Sequence, residues 1–406
     1  TFSLRPPAAQ QEQTGGDNQT EQEEQVEQTE QPEEIIDVQV EEEKNVQIGN
    51  NTYETINKAI ESANNGDTIK ILENIEITEK VEIPENKEIK IDLNNKTITS
   101  NLVNTIENKG TLTITSMGII RNEVDNGTVI LNNGTLNIEN GIITNATNGG
   151  KGIYNEGTVN ISGGKIVTEG IGTNCIYNAK NSKLNMNGGI IEIIGFGSKG
   201  IYNNSEVEIL KNEDEEIIPN IVVSADDCIG IYNSEDATVC NITSAEITIE
   251  AEEIENYEEI KNTDEFKAEL EEMKSSYGIY NNAEIDVNLE EVVIKVERLK
   301  GIGIYNNSAG SIVLGKLDDI VNVATPIIYA IADNTTAIVN VDTESGKIKF
   351  YDGTLSTLAS IKALITDVLE NYELFENIGE NVINTILKEI EKEEEKVDIG
   401  DVANWQ

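Results

Sequence analysis

The chain of 406 residues contains no histidine, which removes both the commonest general base at neutral pH and the commonest transition-metal ligand. Its three cysteines, Cys175, Cys228 and Cys240, have no metal-binding spacing, and an odd number cannot all pair within one chain. Small core-filling thiols are the expectation for them. Arginine occurs only as Arg5, Arg121 and Arg298, and no apolar run reaches the length of a membrane span. Aromatic residues make up 4% of the chain, and the apolar 37% is mostly Ile and Val, which suit thin stacked layers of strand. Positive charge is scarce: 29 Lys and Arg against 75 Asp and Glu leave a formal charge of −46 and a pI near 4.1. Such a surface repels phosphate backbones and anionic lipids, so neither nucleic acid nor membrane insertion is expected. No cofactor and no metal site is expected either. Residue 1 is a threonine, and no basic-then-apolar segment follows; this fits a removed secretory signal as well as a cut from a longer chain.

What the chain does have is a recurring tetrapeptide. Gly152-Ile153-Tyr154-Asn155, Cys175-Ile176-Tyr177-Asn178, Gly200-Ile201-Tyr202-Asn203, Gly230-Ile231-Tyr232-Asn233, Gly278-Ile279-Tyr280-Asn281 and Gly303-Ile304-Tyr305-Asn306 are followed by a degenerate copy, Ile327-Ile328-Tyr329-Ala330. From tyrosine to tyrosine the steps are 23, 25, 30, 48, 25 and 24 residues. The step of 48 reads as two ordinary steps, one carrying an insertion in place of its own tetrapeptide. A fixed period of this size marks a solenoid, in which each copy is one rung that buries its apolar face only against its neighbours. The stretch from about residue 68 to 345 would hold roughly eleven or twelve rungs of 24 residues. The rung is clearest from Gly152 to Asn174. Three short alternating strands, Gly152–Asn155, Thr158–Ile161 and Lys165–Thr168, are separated by Glu156-Gly157 and by Ser162-Gly163-Gly164. Gly and Asn at the corners supply the backbone freedom a sharp bend needs.

The flanks differ. Residues 1–44, rich in Gln and Glu, cannot bury enough apolar surface to offset the entropy of ordering, and read as a disordered, self-repelling stalk or linker. Asn51 and Glu54 have capping-box spacing, and Tyr53, Ile56, Ile60 and Ala63 share one helical face, so a short helix covering the open end of the coil is expected there. The coil itself is expected over 45–347. Within it, the Glu-rich stretch 251–275 reads as a helical excursion, with Thr263 or Asp264 as N-cap and Phe266, Leu270 and Met273 at helical spacing. Residues 348–406 read as a C-terminal cap and acidic tail.

Several of these stretches resemble known proteins. Tyr53–Ile60 followed by Gly66-Asp67-Thr68-Ile69 resembles the entry of the pectin-lyase-like β-helix superfamily. Val46–Gly49, Ile91–Ile98, the Gly-Ile-Tyr-Asn rungs and Lys349-Phe350-Tyr351-Asp352-Gly353 together resemble repeat-bearing surface proteins of Gram-positive gut bacteria. The resemblance covers about residues 45–375. It implies an all-β fold, a right-handed parallel β-helix with an N-terminal capping helix, and a secreted protein attached to the cell envelope. No catalytic residue carries over, since no position matches a lyase active-site motif, and neither a sorting motif nor wall-binding repeats are found.

Two rows of residues are the candidates for function. Alternation buries Ile153 and its equivalents and turns Tyr154, Tyr177, Tyr202, Tyr232, Tyr280, Tyr305 and Tyr329 outward, as an aromatic strip that could lie against sugar rings or a partner protein. A purely structural stack is the plainer reading of the same residues. The row Asn155, Asn178, Asn203, Asn233, Asn281 and Asn306 is expected to be structural, each amide bonding to the next. Of the acidic clusters, Glu213–Glu216 is expected to face water, and Asp226-Asp227 offers oxygen ligands for a calcium ion if the next rung adds more. The expected function is a non-enzymatic extracellular surface module, adhesin-like or structural, with glycans or host or microbial surface proteins as partners. The alternatives are a polysaccharide lyase or glycoside hydrolase on the same coil, and a tail-spike-like fibre domain.

Overall fold

The computed structural model describes residues 44–214, 217–315, 326–330, 334–341, 347–350 and 354–355. They all belong to one compact unit, residues 43–406. The chain is an all-β parallel β-helix. In the rung read most clearly from the sequence, the three strands are Lys151–Asn155, Thr158–Ile161 and Lys165–Thr168. Each pairs in parallel with its counterpart one rung on: Ile153 with Ile176, Val159 with Leu184, and Ile166 with Ile191. The first strands of successive rungs form a sheet of ten, and the other two sets, with the N-terminal strands Val46–Ile48 and Asn51–Tyr53, form a sheet of 22. That larger sheet is two stacks joined. Val239–Ile249 and Asp286–Val296 are single strands of 11 residues that pair with both stacks.

The interior is built from one or two aliphatic residues per strand. Ile153, Ile176, Ile201, Ile231, Ile279 and Ile304, one from each rung, are all fully buried. Each contributes about 1.5–3 kcal/mol by leaving water. The glycine before five of these six isoleucines (Cys175 precedes Ile176) also faces inward, where a Cβ on Gly200 would come within 2.6 Å of the Gly230 carbonyl oxygen.

The N-terminal end is closed in two ways. Helix α1, Ile56–Ser62, buries Ile56, Ala59 and Ile60. Val46–Ile48 adds antiparallel to Asp67–Ile71 and to Asn51–Tyr53, so the first rung presents no free parallel edge. The helix starts later than its sequence suggests. Asn51 lies in a strand, and Thr55 is the N-cap, its side chain accepting from the Lys58 amide.

The Glu-rich excursion is helical as expected, with α2 at Tyr257–Ile260 and α3 at Asp264–Glu272. Thr263 caps α3 by accepting from the Phe266 amide at 3.2 Å, and Phe266 is 7% exposed. Lys300 Nζ donates to the carbonyls of Glu271 and Met273 at the end of α3, tying the excursion to the coil.

Three readings of the repeat are corrected. The step of 48 residues is one rung, because Tyr232 pairs directly with Tyr280 and the whole excursion leaves and returns within that turn. The ten-stranded sheet accordingly carries ten rungs among the described residues, fewer than a division by 24 suggests. Tyr329 is not in the tyrosine row: Ile327–Ala330 belongs to the larger sheet, where Tyr329 pairs with Lys295. Its expected place beside Tyr305 is taken by Val339. Parallel pairing runs on through Lys347–Phe350 and Thr354–Leu355. The rest of the expected C-terminal cap and tail, and all but Lys44 of the stalk expected over 1–44, lie outside the described residues.

Candidate functional site

The six remaining tyrosines stand in register on the outer face of the ten-stranded sheet. In each strand Ile points in and Tyr points out, as strand alternation requires. Neighbouring ring centres are 5.0 Å apart for Tyr154–Tyr177, 4.9 Å for Tyr177–Tyr202 and for Tyr202–Tyr232, 5.5 Å for Tyr232–Tyr280 and 4.8 Å for Tyr280–Tyr305. At one strand spacing per rung the row runs roughly 25 Å. Interplanar angles are 12°, 23° and 29° in three of the steps and 50° and 39° in the two that involve Tyr232. The rings therefore spend their faces on one another. Toward solvent they present edges and hydroxyls.

The row is organised in pairs, each covered from its own first strand. Lys151 Nζ lies 6.0 Å from the ring centres of both Tyr154 and Tyr177. Lys199 Nζ lies 5.9 Å and 5.7 Å from those of Tyr202 and Tyr232. Over the third pair Tyr277 stands edge-on, 5.2 Å from Tyr280 and 5.4 Å from Tyr305. A cation over a ring contributes about 0.5–1 kcal/mol at such half-exposed positions. Burial pushes the phenols of Tyr154, Tyr202, Tyr232, Tyr277 and Tyr280 above their ordinary value. Burial pulls the Lys199 amine down, with Asp227 acting the other way. All six tyrosines of the row are half-buried, and among the described residues none of their hydroxyls has a hydrogen-bond partner.

One residue further along each strand the side chain turns inward again. Asn155, Asn178, Asn203, Asn233, Asn281 and Asn306 are fully buried. Asn155 donates to Asn178 at 2.8 Å, Asn178 to Asn203 at 3.1 Å and Asn203 to Asn233 at 3.0 Å, Nδ2 to Oδ1 each time. Each also donates to a backbone carbonyl across the corner: Lys183, Glu206 and Val239 in turn. The row is longer than the tetrapeptide indicates. It begins with Asn108 and Asn132 and ends at Asn340, which accepts from Asn306 at 2.8 Å. The signal for these three is the shorter pattern Ile-x-Asn, at Ile106-Glu107-Asn108, Ile130-Leu131-Asn132 and Ile338-Val339-Asn340. The row breaks once. Asn281 passes its amide on to Asn306, while Asn233 Nδ2 is buried without a partner, at the rung that carries the excursion.

The other candidates are tied up elsewhere. Asp226 is held by Arg298, whose Nε donates to its Oδ1 at 2.6 Å, and Asp227 by Lys274 at 2.9 Å. The neighbouring elements thus bring cations where a calcium ion would need oxygen ligands. Among the described residues no group of three or more acidic or cysteine side chains is placed to hold a metal. Arg121 is bound to Glu123 at 2.9 Å, and Arg298, 5% exposed, also reaches Glu252 at 3.3 Å. Of the cluster Glu213–Glu216, Glu215 and Glu216 lie outside the described residues. The three cysteines are buried and unpaired, as expected. Burial pushes Cys175 up to about 12 and Cys228 and Cys240 up to about 11, which keeps them as thiols. An open hollow of about 840 Å³ beside the excursion is lined by Glu252, Glu253, Glu255, Glu258 and Glu297 with Tyr257 and Lys261.

The tyrosine row is thus the one candidate that is both regular and in reach of solvent. Its chemistry is that of phenol edges: weakly positive C–H rims and hydroxyls that both donate and accept. No protein-family model, curated protein or solved structure matches this chain.

Proposed function

We propose that this chain is a non-enzymatic, adhesin-like module displayed outside a bacterial cell, of the pectin-lyase-like kind borne by repeat-bearing surface proteins of Gram-positive gut bacteria, and that it contacts neutral glycans along the row from Tyr154 to Tyr305. One observation carries the reading: six half-buried tyrosines in register, with hydroxyls that no described residue engages. A row of phenol groups at strand spacing offers hydrogen bonds at regular intervals, and an extended polyhydroxylated chain offers them back. The contact is made with ring edges and hydroxyls, because the ring faces are already stacked. A formal charge of −46 selects against uronic-acid polymers and other anionic chains, which leaves neutral ones.

The test is a glycan array probed with the full chain and with the double variant Tyr202→Phe/Tyr232→Phe, which keeps the stack and removes two hydroxyls. Neutral polysaccharides are expected to bind and to be recovered at their original length. At roughly 0.5–1.5 kcal/mol per hydrogen bond, the double variant should bind about tenfold more weakly. Equal binding by the variant, or preference for acidic glycans, would reduce the row to a structural stack. Shortened glycan would remove the non-enzymatic part of the reading.

A further inference from the structure

We infer that Tyr202 and Tyr232 form a site of oxidative phenol coupling, where a haem peroxidase acting with hydrogen peroxide joins two successive rungs through a carbon–carbon bond. The inference rests on ring geometry and is independent of glycan binding.

Coupling needs the carbon ortho to one hydroxyl to approach the same carbon of the second ring. In the pair Tyr154–Tyr177, inclined by only 12°, these carbons face each other across a stacking gap. A bond lying in both ring planes cannot form there without breaking the stack. Tyr202 and Tyr232 combine a separation of 4.9 Å with a tilt of 50°, so one ring's edge already leans toward the other. Lys199 lies 5.9 Å and 5.7 Å from the two ring centres and holds them as a pair. Both rings are half-buried, and their hydroxyls are free of hydrogen bonds among the described residues, so an external oxidant reaches them. The rest of the row serves the same site. A radical formed at Tyr177 lies 4.9 Å from Tyr202, and one formed at Tyr280 lies 5.5 Å from Tyr232, so an electron needs to cross only one ring spacing to move the radical to the pair.

The chemistry balances with the peroxide as oxidant. Each phenol loses one electron and one proton to give a phenoxyl radical. The two radicals join at their ortho carbons, and the two displaced ring hydrogens move to the oxygens as aromaticity returns. Hydrogen peroxide takes up the two electrons and two protons and leaves as two waters. The product is a biphenol that closes a loop between rungs. Tyr232 stands on the rung whose Asn233 ends the upstream amide row, so the new bond fastens the rung that carries the excursion.

The experiment exposes the dilute full chain to a peroxidase and hydrogen peroxide, followed by peptide mapping. The expected product migrates as a monomer under denaturing conditions, shows biphenol fluorescence and contains the Tyr202 and Tyr232 peptides joined, lighter by two hydrogen atoms. It should melt several degrees above the untreated chain, because a cross-link restricts the unfolded state. Tyr232→Phe should abolish the joined peptide, and Tyr154→Phe, at the far end of the row, should leave it. Coupling that is absent, solely between molecules, or mapped to other tyrosines overturns the site. A joined product with unchanged melting overturns its role as a fastening.

Discussion

Tyr202 and Asn203 are neighbours on one strand and recur with the same period, yet the coil puts them in opposite environments. The asparagine is fully buried, and both ends of its amide are used: it donates to Asn233 and to the Val239 carbonyl, and accepts from Asn178 and from the Ser205 amide. The tyrosine is half-exposed, stacked on Tyr177 and inclined against Tyr232, with its hydroxyl unengaged among the described residues. The two rows also end differently. The amide row runs from Asn108 to Asn340 with one break, whereas the column of outward residues changes chemistry along its length. Ahead of Leu131 and Tyr154 it is Glu82 and Glu107, in register with each other and bonded to Lys109 and Lys80. An inward position at a corner has one solution that works, because a buried amide without partners costs about 1–3 kcal/mol. An outward position accepts a charged pair or an aromatic ring at little cost to stability. Repetition in the outward column is therefore the better pointer to function, and repetition in the inward row to the fold.

This contrast can be broken in order of expected effect. Replacing Asn203 by Ala strands Asn233 Oδ1, the Val239 carbonyl and the Ser205 amide in the interior, and should destabilise the chain by about 3 kcal/mol, read as a shift in the denaturant midpoint. Melting equal to the unaltered chain would remove the amide row from the account. Asn233→Ala should cost about 1 kcal/mol, because its Nδ2 has no partner in the row and its Oδ1 contact with Asn203 is what the row loses. If it costs as much as Asn203→Ala, the break in the row is not real. Tyr202→Phe should change stability by less than about 0.5 kcal/mol at neutral pH, since the ring and its stacking remain. Its effect should surface only in alkali. A phenol whose folded pKa is raised holds its proton more tightly in the folded chain than in the unfolded one. That stability is fully present below the unfolded value near 10 and is lost as pH rises through the folded value. Alkaline unfolding should therefore start above about pH 10 and be less steep in a chain with Tyr154, Tyr202, Tyr232 and Tyr280 changed to Phe. An identical alkaline profile would mean that burial does not raise these phenols.

Much of the coil is legible before any coordinates. Ile-Tyr-Asn after Gly marks a strand and the corner that follows it, and the second and third strands of the same rung follow from alternation between glycine turns. Thr263 and Phe266 mark α3 equally well, because cap and apolar spacing are local. The misreadings of the repeat are all non-local. Tyr329 sits in a passable copy of the motif, but Ala330 has no amide to continue the row, and Ile338-Val339-Asn340 takes the place in register with Ile304-Tyr305-Asn306. The 48-residue step was ambiguous because a solenoid turn tolerates a long loop at small entropic cost, so its length does not say how many rungs it contains. Asn51 has the spacing of a cap but is drawn into an antiparallel pair with Ile48. The outward direction of the tyrosines could be read from alternation. Their face-to-face stacking could not, since it depends on the register between rungs.

By itself the sequence determined the period, the inward isoleucines and asparagines, the outward tyrosines and a surface that repels anions, because each follows from local alternation, corner chemistry or summed charge. The tertiary structure decided which copies are true neighbours, that Asp226 meets Arg298 and Asp227 meets Lys274, that Lys151, Lys199 and Tyr277 each cover one tyrosine pair, and that Tyr202 and Tyr232 are the most steeply inclined neighbours in the row. Apart from the contacts of Lys151, Lys199 and Tyr277 with the tyrosine of their own strand, those relations join residues 23 to 72 positions apart, and only the stacking of whole rungs brings them within contact distance.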